Sequence, residues 1–269
     1  MSNLTNSLYN LRQMDDLADQ DTLIHRIHPL VKLLLTLFYL IVVVSFDRYE
    51  IIRLIPLCFY PLIVFSLAEL PLAPLAKKIL IVQPFIIGAG VLNPLFDSQT
   101  VVFAGLTFSR GWLTFISIFI KSSLTVAATL LLIATTGMHR LAAALRLLRI
   151  PRLFVLQLLL TYRYISVLGE EANRLFRAYS LRAPRQKGVH HRAWGSLAGQ
   201  LLLRTLDRAQ RVYQAMALRG FTGEYFSGAP PRLRLADLLY LILWAAFFLL
   251  VRFVDIPSLL GSLLIGASA

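Results

Sequence analysis

The sequence has a single cysteine and only 14 acidic residues against 27 basic ones. Because that cysteine, Cys58, stands alone in an apolar stretch, a disulfide framework and a zinc site built from several thiolates are both excluded. Charged residues make up 15% of the 269 residues, whereas soluble domains usually carry about 25%. The sequence also has no Walker-type phosphate loop and no zinc-hydrolase or serine-hydrolase motif. These absences argue against a soluble enzyme and against a chain that hydrolyses ATP by itself.

Long apolar runs take the place of the missing charge. Hydrophobic residues account for 57% of the chain, and the mean hydropathy is +0.68. A helix needs roughly 17–25 apolar residues to cross a bilayer, and five segments approach that length. They are Leu30–Phe46, Ile51–Ala68, Ile79–Phe96, Trp112–Thr136 and Leu235–Val254. We therefore predict an all-α membrane protein with about five transmembrane helices.

The positive charge is confined to one part of the chain. Residues 136–235 hold 17 Lys and Arg against 4 Asp and Glu, which accounts for the whole net charge of +13. Segments rich in Lys and Arg stay on the cytoplasmic side, beside anionic lipid headgroups. We therefore predict that this block and the N-terminus lie inside, and that the loops at Asp47 and Asp97 and the C-terminus lie outside. Because the N-terminal region is polar and acidic, we expect no cleavable signal peptide before the first span.

The basic block predicts a helical domain outside the bilayer. An amphipathic pattern covers His139–Arg149, and two long helices follow, one from Pro151 to Ala183 and one over about Trp194–Leu218. The apolar start of the first long helix is interpreted as too short to span, so it is placed against the membrane. The predicted domains are 1–136 (N-terminal segment and four spans), 137–234 (cytoplasmic helices) and 235–269 (last span and external tail).

Both long helices end in the same pattern. Glu170–Ala183 and Asp207–Gly220 align at an offset of 37 residues, with an acid, two alanines, a leucine and a final arginine in common. One copy could simply be a solvated helix end, because a basic residue there complements the helix dipole. Two matched copies favour two equivalent contacts with a two-fold partner. Arginine suits such contacts, because its planar fork holds oxygen acceptors in fixed geometry.

Several of these motifs occur together in one family. They are Ala134-Thr135-Thr136, Leu145-Arg146-Leu147-Leu148-Arg149-Ile150-Pro151, Tyr162-Arg163-Tyr164, the entry Leu23–Leu33 and the two arginine-ended helices. In this combination the chain resembles the CbiQ/EcfT family, the transmembrane T components of energy-coupling factor (ECF) importers. The family's Ala-Arg-Gly triplet is Leu181-Arg182-Ala183 and Leu218-Arg219-Gly220 here. Both arginines are kept, leucine replaces alanine twice, and alanine replaces the first glycine.

The resemblance implies a non-catalytic coupling subunit in the inner membrane of a prokaryote. In that family two long cytoplasmic helices cross, and each places its arginine in a groove on one of two ABC-type ATPases. The ATPases bind ATP and Mg, so no cofactor is expected on this chain, and a separate S component binds the substrate. The Asp15-Asp16-Leu17-Ala18 lead-in and the histidine-bearing entry look more like cobalt or nickel systems. The docking residues that the resemblance implies are Arg182 and Arg219, with Ser180, Leu181, Ala183, Ala217, Leu218 and Gly220 beside them.

Other functions and sites remain as alternatives. The chain could be the T component of a vitamin importer, a conventional ABC permease or an intramembrane lipid enzyme. A permease loop normally occurs once per chain, and a lipid enzyme would need clustered acids or histidines. His25 and His28 have a spacing that could hold a metal, although a helix start is the simpler interpretation. Lys121, within the fourth predicted span, is either an ion relay or a lysine that reaches outward or bonds neighbouring hydroxyls. We interpret His190 and His191 as a surface pair.

The predicted topology can be tested by labelling. In a Cys58→Ser background, Ser98→Cys should react with an impermeant maleimide from outside intact cells. Gln186→Cys should react only after the membrane is opened, because the basic block is expected inside. Labelling of both cysteines from the same side would contradict the topology.

Overall fold

The structure is a computed structural model that describes residues 15–92, 94, 100–103, 106–183, 188–223 and 233–254. The apolar helices before the basic block are α1 (Pro29–Ser45), a 3-10 helix (Ile52–Cys58), α2 (Phe59–Leu67), α3 (Leu72–Gly90) and α4 (Arg110–Thr136). Those that follow are α5 (Met138–Leu147), α6 (Arg152–Arg182), α7 (His191–Leu218) and α8 (Leu235–Phe253). Two short antiparallel strands, β1 (Thr100–Phe103) and β2 (Leu106–Ser109), pair with Thr100 opposite Ser109. The predicted all-α membrane class is confirmed.

The described residues form two compact units. One, which we call the coupling unit, is formed from Met1–Asp16 and Met138–Pro230, and the other, the membrane unit, from Leu17–Gly137 and Pro231–Ala269. Asp15 belongs to the coupling unit because its carboxylate accepts a hydrogen bond from the Tyr162 hydroxyl, 2.8 Å away. The coupling unit contains α5, α6 and α7, and the membrane unit contains the other helices.

The apolar helices match the predicted spans in part. By length and composition, α4, α6, α8 and the Ala73–Gly90 part of α3 could each cross a membrane. The predicted fourth and fifth spans therefore agree with α4 and α8. The first predicted span is a shorter apolar helix, α1. The apolar start of α6, interpreted as too short to span, is part of a helix that is long and apolar enough, because the helix continues unbroken to Arg182.

One predicted span boundary is wrong. The third span is predicted to begin at Ile79, but α3 begins at Leu72 and includes Lys77 and Lys78. Their long side chains can reach outward while their stems stay on apolar surface. The predicted end at Phe96 and the Asp97 loop lie outside the described residues. The second predicted span is one shorter apolar helix, Ile52–Leu67, in which the 3-10 helix continues directly into α2.

Prolines accompany the change from 3-10 to α geometry in the second span. Pro56 lies inside the 3-10 helix, and Pro61 lies near the start of α2. Since proline has no N–H, Pro61 cannot bond the Leu57 carbonyl four residues earlier. The Tyr39 hydroxyl on α1 donates to that carbonyl at 3.1 Å. A side chain thus bonds a carbonyl whose usual α-helical donor, the N–H four residues on, is missing.

An aromatic cluster fills the centre of the membrane unit. Tyr39, Tyr60, Trp244 and Phe248 join α1, α2 and α8, and their ring centroids lie 4.8–5.8 Å apart. Most pairs are tilted or edge-to-face, the arrangements that aromatic quadrupoles favour. Tyr39 and Phe248 have no exposed surface. This cluster fixes where α8 packs against the first two spans.

Two lysines connect α1 and α4 reciprocally. Lys32, near the start of α1, donates from Nζ to the Thr135 carbonyl at the end of α4, 2.7 Å away. Lys121, within α4, donates to the Phe46 carbonyl just past the end of α1, at 2.6 Å. The two helices are therefore antiparallel, and each supplies a cation to the C-terminal carbonyls of the other. This placement satisfies the last carbonyls and complements both helix dipoles.

Candidate functional site

The coupling unit is built on the pair α6 and α7. Arg204 Nη1 donates to Glu171 Oε1 at 2.5 Å, and the Phe176 and Trp194 rings meet edge-to-face at 5.8 Å. Because late residues of α6 meet early residues of α7, the helices run antiparallel. α6 begins after its N-cap Pro151, and α7 begins after its N-cap His190.

The first tip, the end of α6, carries an exposed apolar side chain beside an exposed arginine. Leu181 is 80% exposed, and Arg182 next to it is exposed as well. The Ser180 hydroxyl donates to the Arg177 carbonyl of its own helix, at 2.9 Å. The Ala183 N–H donates to the Tyr179 carbonyl at 3.0 Å. Both bonds lie within the helix end, while its leucine and its arginine are exposed.

The second tip, the end of α7, has the same pair in a different turn. Leu218 is 90% exposed, and Ala217, Arg219 and Gly220 are exposed too. Gly220 has φ +77°, its N–H donates to the Ala217 carbonyl, and the Phe221 N–H donates to the Met216 carbonyl, each at 3.0 Å. These two bonds define a Schellman motif, which needs a left-handed residue that glycine adopts without strain.

The two tips differ where the sequence differs. Ala183, in place of the family's glycine, ends α6 at φ −126° and has no left-handed turn. Gly220 instead folds the chain back, so that Phe221 and Met216 both line the cavity between α6 and α7. The sequence pattern predicts two matched helix ends. In the structure both ends carry the same exposed Leu-Arg pair, but the chain turns differently after each.

The tips lie at opposite ends of the helix pair. The His190 N–H donates to the Tyr179 hydroxyl at 3.3 Å, so the start of α7 is held beside the last turn of α6. Arg219 follows the other end of α7, 28 residues on. At 1.5 Å per residue, the tips are separated by about 40 Å. A single partner interface of ordinary size can cover only one tip. The two tips can therefore bind two separate partner surfaces.

A cavity of about 600 Å³ opens between the first half of α6 and the second half of α7. Its lining is mainly apolar and consists of Leu156, Gln157, Leu160, Thr161, Tyr164, Ile165, Leu168, Thr205, Leu206, Arg208, Ala209, Val212, Tyr213, Met216 and Phe221. This groove was not predicted from the sequence, because its two walls come from different helices, α6 and α7. The apolar start of α6 is the signal that could have indicated it.

The candidate metal histidines have structural partners. His25 Nε2 bonds the Leu17 carbonyl at 3.0 Å, and Nδ1 bonds the Thr22 hydroxyl at 2.7 Å. His28 Nδ1 accepts from the Leu30 N–H and caps α1. His190 caps α7 in the same way. Across the part of the chain that the structure describes, no three His, Cys, Asp or Glu side chains cluster as metal ligands. The helix-start interpretation of the His25 and His28 region therefore agrees with the structure.

Comparisons with known proteins point to one family. A family model described as cobalt transport protein, CbiQ, matches residues 20–231. The nickel permease LarQ of Lactiplantibacillus plantarum is 31% identical over 132 residues, which cover 48% of this chain and 48% of that protein. The cobalt transport protein CbiQ of Salmonella typhimurium is 28% identical over 150 residues, 51% of this chain and 66% of that protein. CbiQ of Rhodobacter capsulatus is 35% identical over 96 residues, 35% of this chain and 38% of that protein. The chain thus spans roughly half the length of the curated relatives it matches.

The turn at the second tip predicts opposite effects for two alanine substitutions. Gly220→Ala places a side chain in the left-handed region and should destabilise the protein by about 1–2 kcal/mol. Gly199→Ala lies within α7, where an added Cβ meets nothing within 4 Å, and should stabilise it by about 0.5–1 kcal/mol. Thermal unfolding in one detergent compares the two variants. Equal shifts in the same direction would contradict the assigned turn.

Proposed function

The chain belongs to the CbiQ family of cobalt transport proteins, and on that premise we propose that it is the coupling (T) component of an ECF-type importer. In this proposal two ABC-type ATPases supply ATP hydrolysis, and a separate S component in the membrane binds the substrate. This chain transmits the ATPase movement to that S component and catalyses no reaction itself. The complex works in the inner membrane of a prokaryote, with the basic block of this chain inside.

The observation that carries the proposal is the repeated tip. Leu181 and Leu218 are large apolar side chains at 80% and 90% exposure, each followed by an exposed arginine. Arginine is enriched at the energetic hot spots of protein interfaces, and an exposed leucine beside it adds apolar area that a partner can cover. Two such tips, about 40 Å apart along one helix pair, fit two copies of a partner better than one. Arg182 and Arg219 are accordingly proposed to bind the two ATPases through oxygen acceptors.

The leucines that replace the family's alanines support the same contact. An exposed leucine offers more apolar area than alanine, and burial of apolar area contributes about 25 cal/mol per Å². The arginine then fixes the orientation of the partner through its hydrogen bonds. Ser180, Ala183, Ala217 and Gly220 are small, so they leave room for a partner surface to approach each arginine.

The stiffness of α6 supports a role in transmission. This helix runs unbroken for 31 residues, from an apolar start to the first tip, a length of about 46 Å. Force applied at Arg182 therefore reaches the apolar half of the helix without passing through a loop. The ion pair between Glu171 and Arg204 connects α7 to α6. The S component is proposed to bind on the membrane side of this assembly.

The substrate is proposed to be a cobalt or nickel ion. The relatives described above carry the names cobalt transport protein and nickel permease, which favours a metal over a vitamin. The metal is the cargo of the S component, so this chain needs no metal ligands of its own.

Charge reversal at the tips tests the docking. Arg182→Glu combined with Arg219→Glu should reduce copurification of the ATPases by about tenfold or more, because each substitution removes a charge-assisted contact and introduces repulsion. The measurement is the yield of ATPase recovered with a tagged chain in mild detergent.

A matched control uses two exposed arginines further back on the same helices. Arg177→Glu with Arg211→Glu makes the same charge change away from the tips, and should leave the yield within about twofold of wild type. If the tip variant retains the wild-type yield, or if both variants lose the ATPases equally, the docking proposal is wrong.

A further inference from the structure

The chain passes between its two compact units three times, and we infer that one buried polar cluster of the membrane unit positions all three crossings. The crossings fall at 16/17, 137/138 and 230/231. The cluster, which we call the junction cluster, consists of His25, His28, Lys32 and Asp237, each only 3–5% exposed. The inference rests on the proposed function and deepens it, because these residues are then the positioning residues that convey movement from the coupling unit to the spans.

The first crossing is held by His25. Its Nε2 lies 3.0 Å from the Leu17 carbonyl, and its Nδ1 lies 2.7 Å from the Thr22 hydroxyl. Because a carbonyl oxygen only accepts hydrogen bonds, Nε2 carries the proton and Nδ1 accepts from the hydroxyl. The ring is therefore fixed at both nitrogens. It holds Leu17, the first residue of the membrane unit after the crossing.

The second crossing is held by Lys32. Its Nζ donates to the Thr135 carbonyl at 2.7 Å, two residues before the chain leaves the membrane unit after Gly137. Gly137 has φ +71°, and a Cβ there would lie 3.0 Å from the Cβ of Ala18. The second crossing thus packs against the first, at a position where only glycine fits without strain.

Asp237 holds the start of α8, the first helix after the third crossing. Its two carboxylate oxygens accept from the His28 N–H and the Arg234 N–H, both at 2.8 Å. These N–H groups belong to the residues that precede α1 and α8. One carboxylate thus stands at two helix N-termini, and the Lys32 ammonium stands at the C-terminus of α4. Each charge has the sign that the helix dipole favours.

Through the junction cluster, the three crossings depend mechanically on one another. One short segment, from His25 to Lys32, is bonded to residues near all three crossings. His25 bonds Leu17 and Lys32 bonds Thr135 directly. The His28 N–H is linked to Arg234 through Asp237. Hydrogen bonds to charged groups are stronger than neutral ones, and they are costly to break in a buried, apolar setting. A pull on one crossing therefore acts on the start of α1 and on the other two crossings together, instead of bending one helix end alone.

Lys121 provides a matched control, because it makes the same kind of bond at the other end of the same helix pair. It donates to the Phe46 carbonyl, which is far in sequence from every crossing. If the lysines serve stability only, Lys32→Met and Lys121→Met should behave alike. If the junction cluster positions the crossings, only Lys32→Met should separate ATP hydrolysis from transport.

The experiment uses the complete complex, copurified with its ATPases and membrane partner and placed in vesicles. Uptake of radioactive Co²⁺ and, separately, Ni²⁺ is measured together with ATP hydrolysis. Lys32→Met should lower the metal transported per ATP by about tenfold, within the usual range of coupling between sites, while the ATPases remain bound. Lys32→Arg keeps a cationic donor and should restore most of the metal transported per ATP hydrolysed. Lys121→Met should keep the wild-type ratio even if its thermal stability falls.

A second variant keeps the inference testable if Lys32→Met does not assemble. Gly137→Ala removes no charge and should lower the same ratio by forcing apart the first two crossings. An unchanged ratio in an assembled Lys32→Met or Gly137→Ala complex overturns the inference, as does an equal loss in Lys121→Met. If even the wild-type chain binds no ATPase, the proposed function itself has failed, and the positioning role fails with it.

Discussion

The backbone groups at the ends of apolar helices need partners that water cannot supply within a membrane. In this chain side chains from neighbouring helices supply them. Lys32 and Lys121 bond the carbonyls that end α4 and α1, and Tyr39 bonds the Leu57 carbonyl, to which Pro61 cannot donate. Asp237 accepts from the N–H groups before α1 and α8. Each bond fixes a helix end as well as satisfying it, so the same constraint determines the packing of the membrane unit.

The coupling unit does not depend on buried bonds at helix ends. Its long helices carry their charge outward and bury little, and α7 has no fully buried residue. Helices of this kind gain little stability from a core of their own. The ring contact between Phe176 and Trp194 and the ion pair at Glu171 hold them together, while the apolar groove and the two leucine-arginine tips stay open to partners. A unit of this composition suits a part that works only inside a larger assembly.

Much of this arrangement could be predicted from the sequence, and the failures have physical causes. The long helices, their arginine ends and the fourth and fifth spans follow from apolar length and charge. The third span is predicted to begin only at Ile79 because Lys77 and Lys78 interrupt the apolar run, although lysines are tolerated inside a helix whose side chains can reach polar surroundings. The change from 3-10 to α geometry in the second span occurs beside Pro56, and the bond from Tyr39 to that segment forms only in the folded chain. Lys32 and Asp237 stand alone within apolar runs, and only the folded chain brings them to the ends of other helices.

The most direct test of the central claim is site-specific photocrosslinking at the tips in the assembled complex. A photoreactive amino acid in place of Leu181 or Leu218 should each crosslink to an ATPase subunit. The same residue in place of Leu202, exposed on α7 away from either tip, should not. Crosslinks from both tips to the ATPases would support a chain that conveys the work of two nucleotide-driven subunits. Crosslinks from neither tip in a transport-active complex would contradict it.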